Sequence, residues 1–412
     1  MAGGTAAAGA TGTTGKPVSA PENPQAGDSA PAQEKESWLR LVVLQPSPFC
    51  NINCDYCYLP DRAQTHRMSP DTLRRAVEEV FASDLIADEV TFVWHAGEPL
   101  AVPIPWYEEA FSLIRDAAPA GVKPVHTFQS NGTLITERWC EFFDRWDAHL
   151  GLSIDGPEFL HDAHRKTRKG AGTHAHAMRG AKLLRESGRD FHVIAVVTKE
   201  SLDHADAIFD FFLDHGIYRF GFNIDEMEGA NATSSLDGVS SDRIEAFFRR
   251  MFERQKAERG RVRIREFDSA LHRIMRGRSE EAKRFVYENE QVRPFGILSI
   301  DWQGNFSTYS PELLGLSLGD YGSFSFGSVH NGHLVDAVQT PKFQQVLTDI
   351  QSGVERCRTE CAYFKLCGGG APANKFFENG SFASSSTQYC RYAVKVPIDL
   401  VLRDLESTIG GQ

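Results

Sequence analysis

Three cysteines, Cys50, Cys54 and Cys57, stand close together near the start of the chain, directly after the apolar run Leu41–Leu44. An apolar run of this length predicts a strand, and a short loop at its end can turn three thiolates towards one point. Iron–sulfur clusters are normally held by four Cys ligands, so a local set of three leaves one iron open to another molecule. The spacing therefore indicates a cluster with an open iron.

Two other interpretations of these cysteines are a zinc site and three unrelated buried thiols. Zinc usually takes four protein ligands in a closed tetrahedron, and no fourth partner lies near Cys57 in the sequence. The aromatic Tyr56 before the last cysteine, and Gly97-Glu98-Pro99 some forty residues on, also disfavour zinc.

With these residues in place, the sequence resembles the radical S-adenosylmethionine (radical SAM) superfamily, which has a Cys-x3-Cys-x-aromatic-Cys loop. The resemblance implies a [4Fe-4S] cluster on Cys50, Cys54 and Cys57. It also implies that the open iron binds the amino and carboxylate groups of S-adenosylmethionine.

Polar or glycine-containing signatures follow the next predicted strands. His95-Ala96-Gly97-Glu98-Pro99 resembles the family's Gly-Gly-Glu-Pro motif, with Ala96 replacing the first glycine. A glycine turn lets backbone approach a ligand, and a carboxylate accepts from an ammonium. The later Asn-Gly and Asp-Gly pairs are also common in ordinary turns. The resemblance implies ribose and carboxylate contacts there, with Arg165 as the clamp on the methionine carboxylate because its fork of donors suits that role. The predicted cofactor contacts are Tyr56, Gly97, Glu98, Pro99, Ser130, Asn131, Ser153, Asp155 and Arg165.

A second cysteine set, Cys357, Cys361, Cys367 and Cys390, lies near the C-terminus. Four ligands satisfy either a closed zinc site or a fully ligated iron–sulfur cluster, and the residues alone leave both open. The stretch 368–372 resembles the SPASM extension of radical SAM peptide-modifying enzymes, which implies iron–sulfur. A full SPASM domain carries two clusters, but 301–310 has no Cys and Ala371 replaces a usual ligand. We therefore expect one auxiliary [4Fe-4S] cluster. The eighth cysteine, Cys140, is expected to be a buried structural thiol.

Composition narrows the class of protein. The chain has 412 residues, 41% of them hydrophobic, and a net charge of -11. The acidic balance and the lack of a basic stripe argue against nucleic-acid binding, and no apolar run approaches the length of a membrane span. Residues 1–36 carry no secretory signal pattern and are expected to form a disordered tail. Eight cysteines without a signal indicate a cytoplasmic protein with metal sites.

Short apolar runs alternate with helical patterns in the first half of the chain, which predicts an α/β fold with a parallel sheet. Periodicity does not distinguish an open sheet from a barrel; the superfamily resemblance implies a partial (βα)6 barrel followed by a small Cys-rich SPASM-type domain. The six predicted strands are 41–44, 90–93, 125–128, 150–154, 191–197 and 220–224.

The first helix is predicted to start with Ser69 as N-cap and Pro70, and its apolar stripe is Leu73, Val77, Val80 and Phe81. A connecting helix is predicted in 241–260, with apolar residues at helical spacing that include Phe247 and Phe248. The stretch 297–306 predicts a hairpin with a Gly-containing turn. The predicted divisions are a tail at 1–36, a barrel at 37–235, a helical connector at 236–292, an auxiliary-cluster domain at 293–395, and a C-terminal helix and tail at 396–412.

A closer resemblance covers nearly all of 41–406. It links the chain to the GrrM-type maturases, which form three-residue cyclophanes (triceptides) in ribosomally made precursor peptides. The stretches that carry it are 94–100, 223–229, 306–315 and 367–375. It implies a crosslink between an aromatic ring carbon and the β-carbon of a residue two positions downstream.

The chemistry of that crosslink sets further expectations. After the β-carbon radical adds to the ring, the ring must lose an electron and a proton. A fully ligated auxiliary cluster is a sensible electron acceptor, and a carboxylate near the barrel mouth a sensible base. The candidate bases are Asp225, Glu226, Glu228 and Glu312. The expected partners are a precursor peptide with a leader and an aromatic-containing core, and an external one-electron donor of the flavodoxin or ferredoxin type.

Other functions stay open from the sequence. SPASM proteins also oxidise Ser or Cys in sulfatases, epimerise residues or form thioethers, and the single auxiliary cluster argues mainly against the two-cluster sulfatase maturases. A zinc-bearing peptide-binding protein without redox chemistry is the alternative from another class.

Overall fold

The computed structural model describes residues 37–276 and 287–410. The expected tail at 1–36, part of the expected helical connector (277–286) and residues 411–412 lie outside the described residues. The strands are β1 (Leu39–Leu44), β2 (Ile52–Cys54), β3 (Ile86–Trp94), β4 (Lys123–Ser130), β5 (His149–Ser153), β6 (Arg165–Thr167), β7 (His192–Val197), β8 (Arg219–Ile224), β9 (Arg263–Ile264), β10 (Ile297–Ile300), β11 (Asn305–Thr308) and β12 (Gly327–Ser328).

Helices follow most of the strands, and several short 3₁₀ turns occur between them. The helices are α1 (Pro70–Ala82), α2 (Ile104–Ala117), α3 (Glu137–Arg145), α4 (Glu158–His164), α5 (His174–Glu186), α6 (Ala205–Asp214), α7 (Ser241–Ala257), α8 (Arg265–Arg276), α9 (Pro341–Glu360), α10 (Phe364–Cys367), α11 (Pro372–Asn379) and α12 (Val396–Gly410).

The main sheet has ten strands in the order β12-β11-β10-β1-β3-β4-β5-β7-β8-β9. The six predicted strands correspond to β1, β3, β4, β5, β7 and β8, and each pairs in parallel with its neighbour in that series. The α/β prediction with a parallel sheet is confirmed. Because the carboxyl ends of parallel strands meet at one edge, the loops after these strands converge there.

The hairpin β10–β11 forms as predicted, with its turn at 301–304. Its first strand pairs in parallel with β1, with Val42 opposite Leu298. The main sheet therefore continues across the predicted division at 292/293. The described residues from Ser37 onward form one compact unit, and the predicted domain boundaries stay predictions.

Local signals place the first helix as expected. Ser69 is the N-cap of α1 and accepts a hydrogen bond from the Thr72 backbone, and Pro70 begins the helix. A proline at this position loses no intrahelical bond, because the first N–H groups of a helix have no partner. Leu73 and Val77 of the predicted stripe are buried, so this face packs on the sheet.

Aromatic residues form much of the core between the sheet and α2 and α3. Trp94 stacks on Phe111 with ring centroids 5.5 Å apart, and Tyr107 meets Phe128 edge-on at 5.0 Å. Burying one such side chain stabilises a fold by about 1.5–3 kcal/mol. The expected stripe on α7 is likewise buried at Phe247 and Phe248. None of the described helices is long and apolar enough to cross a membrane.

Candidate functional site

The loop that carries Cys50, Cys54 and Cys57 follows β1, and arginine side chains hold it through its backbone carbonyls. Arg168 Nε donates to the Cys50 carbonyl at 2.9 Å, and Arg62 Nη1 donates to the Cys54 carbonyl at 3.1 Å. Within the loop, β2 pairs antiparallel with β6, which sets Cys54 opposite Arg165. None of the three thiols is in a disulfide.

The three thiols line one cavity of about 400 Å³. Burial, together with a smaller effect of the neighbouring thiols, raises the pKa of Cys50 to about 12 and that of Cys54 to about 11. Thiolates placed together in a buried site need positive charge from a ligand, because desolvation disfavours their charged form. Among the described residues, no three His, Cys, Asp or Glu side chains are already arranged around a single metal ion.

The turn after β3 packs directly on the cysteine loop. A Cβ on Gly97 would lie 2.3 Å from the Phe49 carbonyl oxygen, and Gly97 has a φ of +61°. Ala96, which replaces the first glycine of the family motif, also has a left-handed φ of +70°. Glu98 N donates to the same Phe49 oxygen at 2.7 Å. Only glycine fits at position 97, because any side chain would strike this backbone.

The Glu98 carboxylate is buried and used within the protein. It accepts from Leu100 N at 3.0 Å, Ser130 Oγ at 2.8 Å and Asn131 N at 2.8 Å. Burial nevertheless raises the pKa of Glu98 to about 7. The Asn131 side chain donates to Asn51 Oδ1 at 2.9 Å, which ties the end of β4 to the cysteine loop. Glu98 therefore holds Ser130 and Asn131 in place, and all three are predicted cofactor contacts.

Arg165 and Asp155 form a buried bidentate pair, with Nε–Oδ2 at 2.9 Å and Nη2–Oδ1 at 3.0 Å. Tyr56 donates its hydroxyl to Asp155, and the Arg165 guanidinium lies 5.4 Å from the Tyr56 ring centroid. Burial alone would raise the pKa of Asp155, but Arg165 lowers it below its usual value. Two nitrogens of Arg165, the predicted clamp on the methionine carboxylate, therefore already donate hydrogen bonds to Asp155. The role of Arg165 as a clamp stays a prediction.

Most predicted cofactor contacts face the cavity. Its lining includes Tyr56, Gly97, Glu98, Ser130, Asn131, Ser153 and Arg165. Two others lie behind it: Pro99, whose carbonyl accepts from Tyr107 at 2.9 Å, and Asp155 behind Arg165.

The four candidate bases line the same cavity. We call Glu226, Glu228 and Glu312 the carboxylate trio. Burial raises the pKa of each of them, that of Glu226 to about 8; the nearby charge of Glu312 adds to the rise at Glu226 and Glu228. Glu226 accepts from Asn374 Nδ2 at 2.5 Å. Two neighbouring carboxylates with raised pKa values are a common source of a general base.

Asp225, the fourth candidate, organises a loop. Its carboxylate accepts from Asn231 Nδ2 at 3.0 Å and from Ser235 N at 2.7 Å. The same loop docks on the cysteine loop, since Ala230 N donates to the Tyr58 carbonyl at 2.8 Å. The contacts of Asp225 explain how the loop presents its glutamates to the cavity.

The C-terminal cysteines also come together. Cys357 lies in the last turn of α9, Cys361 follows that helix, Cys367 ends α10, and Cys390 begins a π-helical segment before α12. The Lys375 side chain is 2% exposed, hydrogen-bonds Cys357, and is influenced by the charges of Cys367 and Cys390. An ammonium beside three of the four thiols suits a site that would carry negative charge when loaded. Cys140 is buried in the main core, as expected.

Comparison with known proteins decides the family. The radical SAM superfamily model matches residues 44–212. The chain is 42% identical to the uncharacterized protein sll1766 of Synechocystis sp. over 90% of this chain and 93% of that protein. It is 33% identical to a serine-type anaerobic sulfatase-maturating enzyme of Klebsiella aerogenes over 56% of this chain and 58% of that enzyme.

The chain belongs to the radical SAM superfamily. Two solved structures share its fold. The structure of native anSMEcpe with bound AdoMet has a TM-score of 0.72 at 22% identity and covers 90% of this chain and 99% of that one. Streptococcus suis SuiB bound to precursor peptide SuiA has a TM-score of 0.59 at 17% identity and covers 86% of this chain and 76% of that one.

The residues present fit the cofactors of a radical SAM protein. The superfamily uses a [4Fe-4S] cluster and S-adenosylmethionine, and SPASM relatives carry auxiliary clusters. Cys50, Cys54 and Cys57 form a three-thiol set on the cavity, and Cys357, Cys361, Cys367 and Cys390 form a four-thiol set. The first set would leave one iron of a cluster open, and the second would close all four positions. The ligand assignments themselves stay predictions.

Several lining residues of the radical SAM cavity escaped sequence reasoning. Tyr58 and His95 approach each other with Oη–Nδ1 at 3.5 Å, and Asn374 and Tyr389 also line the cavity. Burial lowers the pKa of His95 to about 4, so its imidazole is neutral. Tyr58 directly follows Cys57, and His95 lies just before the turn at Gly97, so their position next to motif residues could have predicted that they line the cavity. Asn374 lies in the stretch 367–375 that carries the closer resemblance, but neither it nor Tyr389 could be placed at the cavity from sequence, because their positions depend on α11 and the π-helical segment.

Proposed function

We propose that this radical SAM protein modifies a peptide substrate. The observation that carries the proposal is that one cavity joins the cysteine loop, the predicted S-adenosylmethionine contacts and the carboxylate trio. Support also comes from relatives named sulfatase-maturating enzymes and from SuiB, which was solved with a precursor peptide.

The cofactors, when bound, supply an electron to S-adenosylmethionine and so a 5′-deoxyadenosyl radical that removes one hydrogen atom from the substrate. The chain's own residues orient the partners and accept a proton. Gly97 and Glu98 fix the turn beside the cysteine loop, and the Asp155–Arg165 pair fixes Tyr56. A carboxylate of the trio accepts the proton that the oxidised substrate releases.

The first candidate reaction is oxidation of a Ser or Cys side chain, as the names of the relatives in Klebsiella aerogenes and Clostridium perfringens suggest. It is the reaction that the comparisons favour. In it, a serine would lose a β-hydrogen atom to the 5′-deoxyadenosyl radical, one electron to the auxiliary cluster that the four-cysteine set would hold, and one proton to a carboxylate of the trio, which turns it into an aldehyde.

The second candidate is the three-residue cyclophane crosslink, with an aromatic ring carbon joined to a downstream β-carbon. Two features support it: the sequence resemblance to GrrM-type maturases, and the single four-cysteine set in the C-terminal region. Like the serine oxidation, the crosslink removes one hydrogen atom, one electron and one proton from the peptide, because the ring loses an electron and a proton after the new bond forms.

The experiment is coexpression with small neighbouring open reading frames, followed by mass spectrometry of the peptides. Both a serine oxidation and a crosslink remove two hydrogens, so the mass falls by about 2 Da in either case. Reaction with a hydrazine probe separates them, since only the aldehyde forms a hydrazone. A crosslink instead suppresses fragment ions inside a three-residue window that starts at an aromatic residue. An unmodified peptide pool together with no 5′-deoxyadenosine would contradict the proposal.

The partners follow from the same proposal. The substrate is a peptide with a leader and a core, and the electron comes from an external flavodoxin or ferredoxin type donor in the cytoplasm. Epimerisation would leave the mass unchanged, and a thioether would require a Cys in the modified window. A zinc-bearing binding protein would contain no iron or sulfide, and a metal and sulfide assay tests that directly.

A further inference from the structure

The carboxylate trio has no protein cation beside it in the cavity. Three basic residues line the described cavity, Arg62, His95 and Arg165, and burial lowers the pKa of His95 to about 4 and so keeps it neutral. Arg165 is bonded to Asp155, and Arg62 donates to the Cys54 carbonyl. Among the described residues, no ion pair includes Glu226, Glu228 or Glu312. Three carboxylates thus share a buried space without a counter-charge.

Two buried polar groups in this part of the cavity also lack partners. Glu228 is 9% exposed, and no described residue donates a hydrogen bond to its carboxylate. The Ser310 hydroxyl lies two residues before Glu312, is 1% exposed, lines the cavity and has no hydrogen-bond partner within the described chain. Leaving such a group buried without a hydrogen bond is unfavourable. Both groups accept hydrogen bonds, so a ligand rich in donors would satisfy them.

The electrostatics point the same way. Burial and mutual repulsion raise the pKa values of Glu226 and Glu228, because each negative charge disfavours the next. An incoming cation removes this repulsion and favours the ionised carboxylates. The amino group of S-adenosylmethionine is expected elsewhere, since its predicted contacts are in the turn at Gly97 and Glu98.

We propose that the carboxylate trio, with Ser310, is a subsite for the cationic side chain of a lysine or arginine in the peptide substrate. The inference rests on the proposed function, because it takes the ligand to be a peptide. An ammonium has three donors and a guanidinium five, and neither can accept, which matches ionised carboxylates, which only accept, and a serine hydroxyl, which can accept. The subsite therefore selects for a basic residue close to the modified residue.

The test measures binding, so that it does not depend on turnover. The probes are fluorescently labelled synthetic peptides Gly-Trp-Gly-Xaa-Gly, with Xaa as lysine, arginine, norleucine, glutamine or glutamate. Anaerobically reconstituted enzyme is loaded with S-adenosylmethionine, and anisotropy gives the affinities. We expect lysine and arginine peptides to bind about tenfold or more tightly than norleucine and glutamine peptides, the ratio that one charge-assisted hydrogen bond to a buried group produces.

Variants of the enzyme test whether the preference for lysine and arginine peptides comes from the carboxylate trio. Glu228→Gln should reduce it to about twofold or less, while the matched surface variant Glu253→Gln on α7 should keep it in full. Glu312→Gln is a second variant if Glu228→Gln does not fold, as judged by circular dichroism and iron content. Equal affinity for all five peptides overturns the proposal, as does a preference that survives both cavity variants.

Two further outcomes separate this inference from others. Loss of the preference when millimolar Mg²⁺ or Ca²⁺ is added to wild-type enzyme would indicate a metal site and overturn the proposal. A clear cation preference in binding, together with no modification of any coexpressed peptide, would support the subsite and contradict the proposed function instead.

Discussion

Asn374 Nδ2 donates to Glu226 Oε2 at 2.5 Å and joins α11, which follows the Gly-rich stretch after Cys367, to the loop after β8. The bond connects the region of the four-cysteine set to the mouth of the parallel sheet. It also gives Glu226 a donor from a side chain that is itself 3% exposed. One contact thus spans the two parts of the chain that hold the candidate cofactor sites.

Asn374→Ala should move the pH dependence of product formation to higher pH. Burial raises the pKa of Glu226 to about 8, and the Asn374 hydrogen bond lowers it. If Glu226 is the base, activity rises with pH through this pKa, and loss of the donor shifts the rise upward. The measurement is the rate of peptide modification from pH 6 to 9, with Asn379→Ala on the same helix as control. An unchanged profile would remove Glu226 from the base candidates.

Glu226→Gln should make the protein less sensitive to rising pH. An acid whose pKa is higher in the folded state binds more protons there, so stability is lost as pH rises from about 4.5 to about 8. Glutamine has no such titration. Melting temperatures at pH 5, 6, 7 and 8 should therefore fall less in the variant than in the wild type. Parallel curves would contradict the raised pKa.

Asp155→Asn should destabilise the protein strongly. It leaves Arg165 buried without its counter-charge, and breaking such a pair costs about 3–5 kcal/mol. Chemical denaturation measures the loss, and the exposed pair Arg115–Asp116 supplies the control variant Asp116→Asn, which should change stability little. Equal effects of the two substitutions would contradict this account of the buried pair.

Replacing Cys50, Cys54 and Cys57 by alanine should abolish 5′-deoxyadenosine formation under dithionite and reduce the iron content. Cys140→Ala is the matched control, because this thiol is buried in the core away from the cavity lining. A triple variant that still forms 5′-deoxyadenosine at the wild-type rate would show that these thiols do not hold the catalytic cluster.

Cys390→Ala should spare cleavage of S-adenosylmethionine while peptide modification falls. Four thiolates leave no iron open, so the second cluster is expected to carry electrons or to hold its region together. Circular dichroism and iron counting distinguish these roles, since small metal-dependent domains unfold without their metal. A folded variant that lacks the second cluster and still modifies peptide at full rate would exclude electron transfer through it.

Local patterns were enough to predict much of this protein. Cys50, Cys54 and Cys57 are close together in the sequence, so their spacing alone predicts that they bind one metal cluster. The six apolar runs predicted the parallel strands, and the Ser69–Pro70 signal predicted the start of α1. Each of these features depends on interactions between near neighbours, which a single sequence displays directly.

Tertiary structure decided what meets across the chain. The strand order brings β10 beside β1, which the division at 292/293 did not anticipate, and it brings Glu312 into the same cavity as Glu226 and Glu228. The pairing of β2 with β6 sets Arg165 beside Asp155 instead of leaving its whole fork free. These relationships depend on packing between distant segments, and burial then sets the pKa values of the carboxylates. No spacing in the sequence encodes such through-space neighbours.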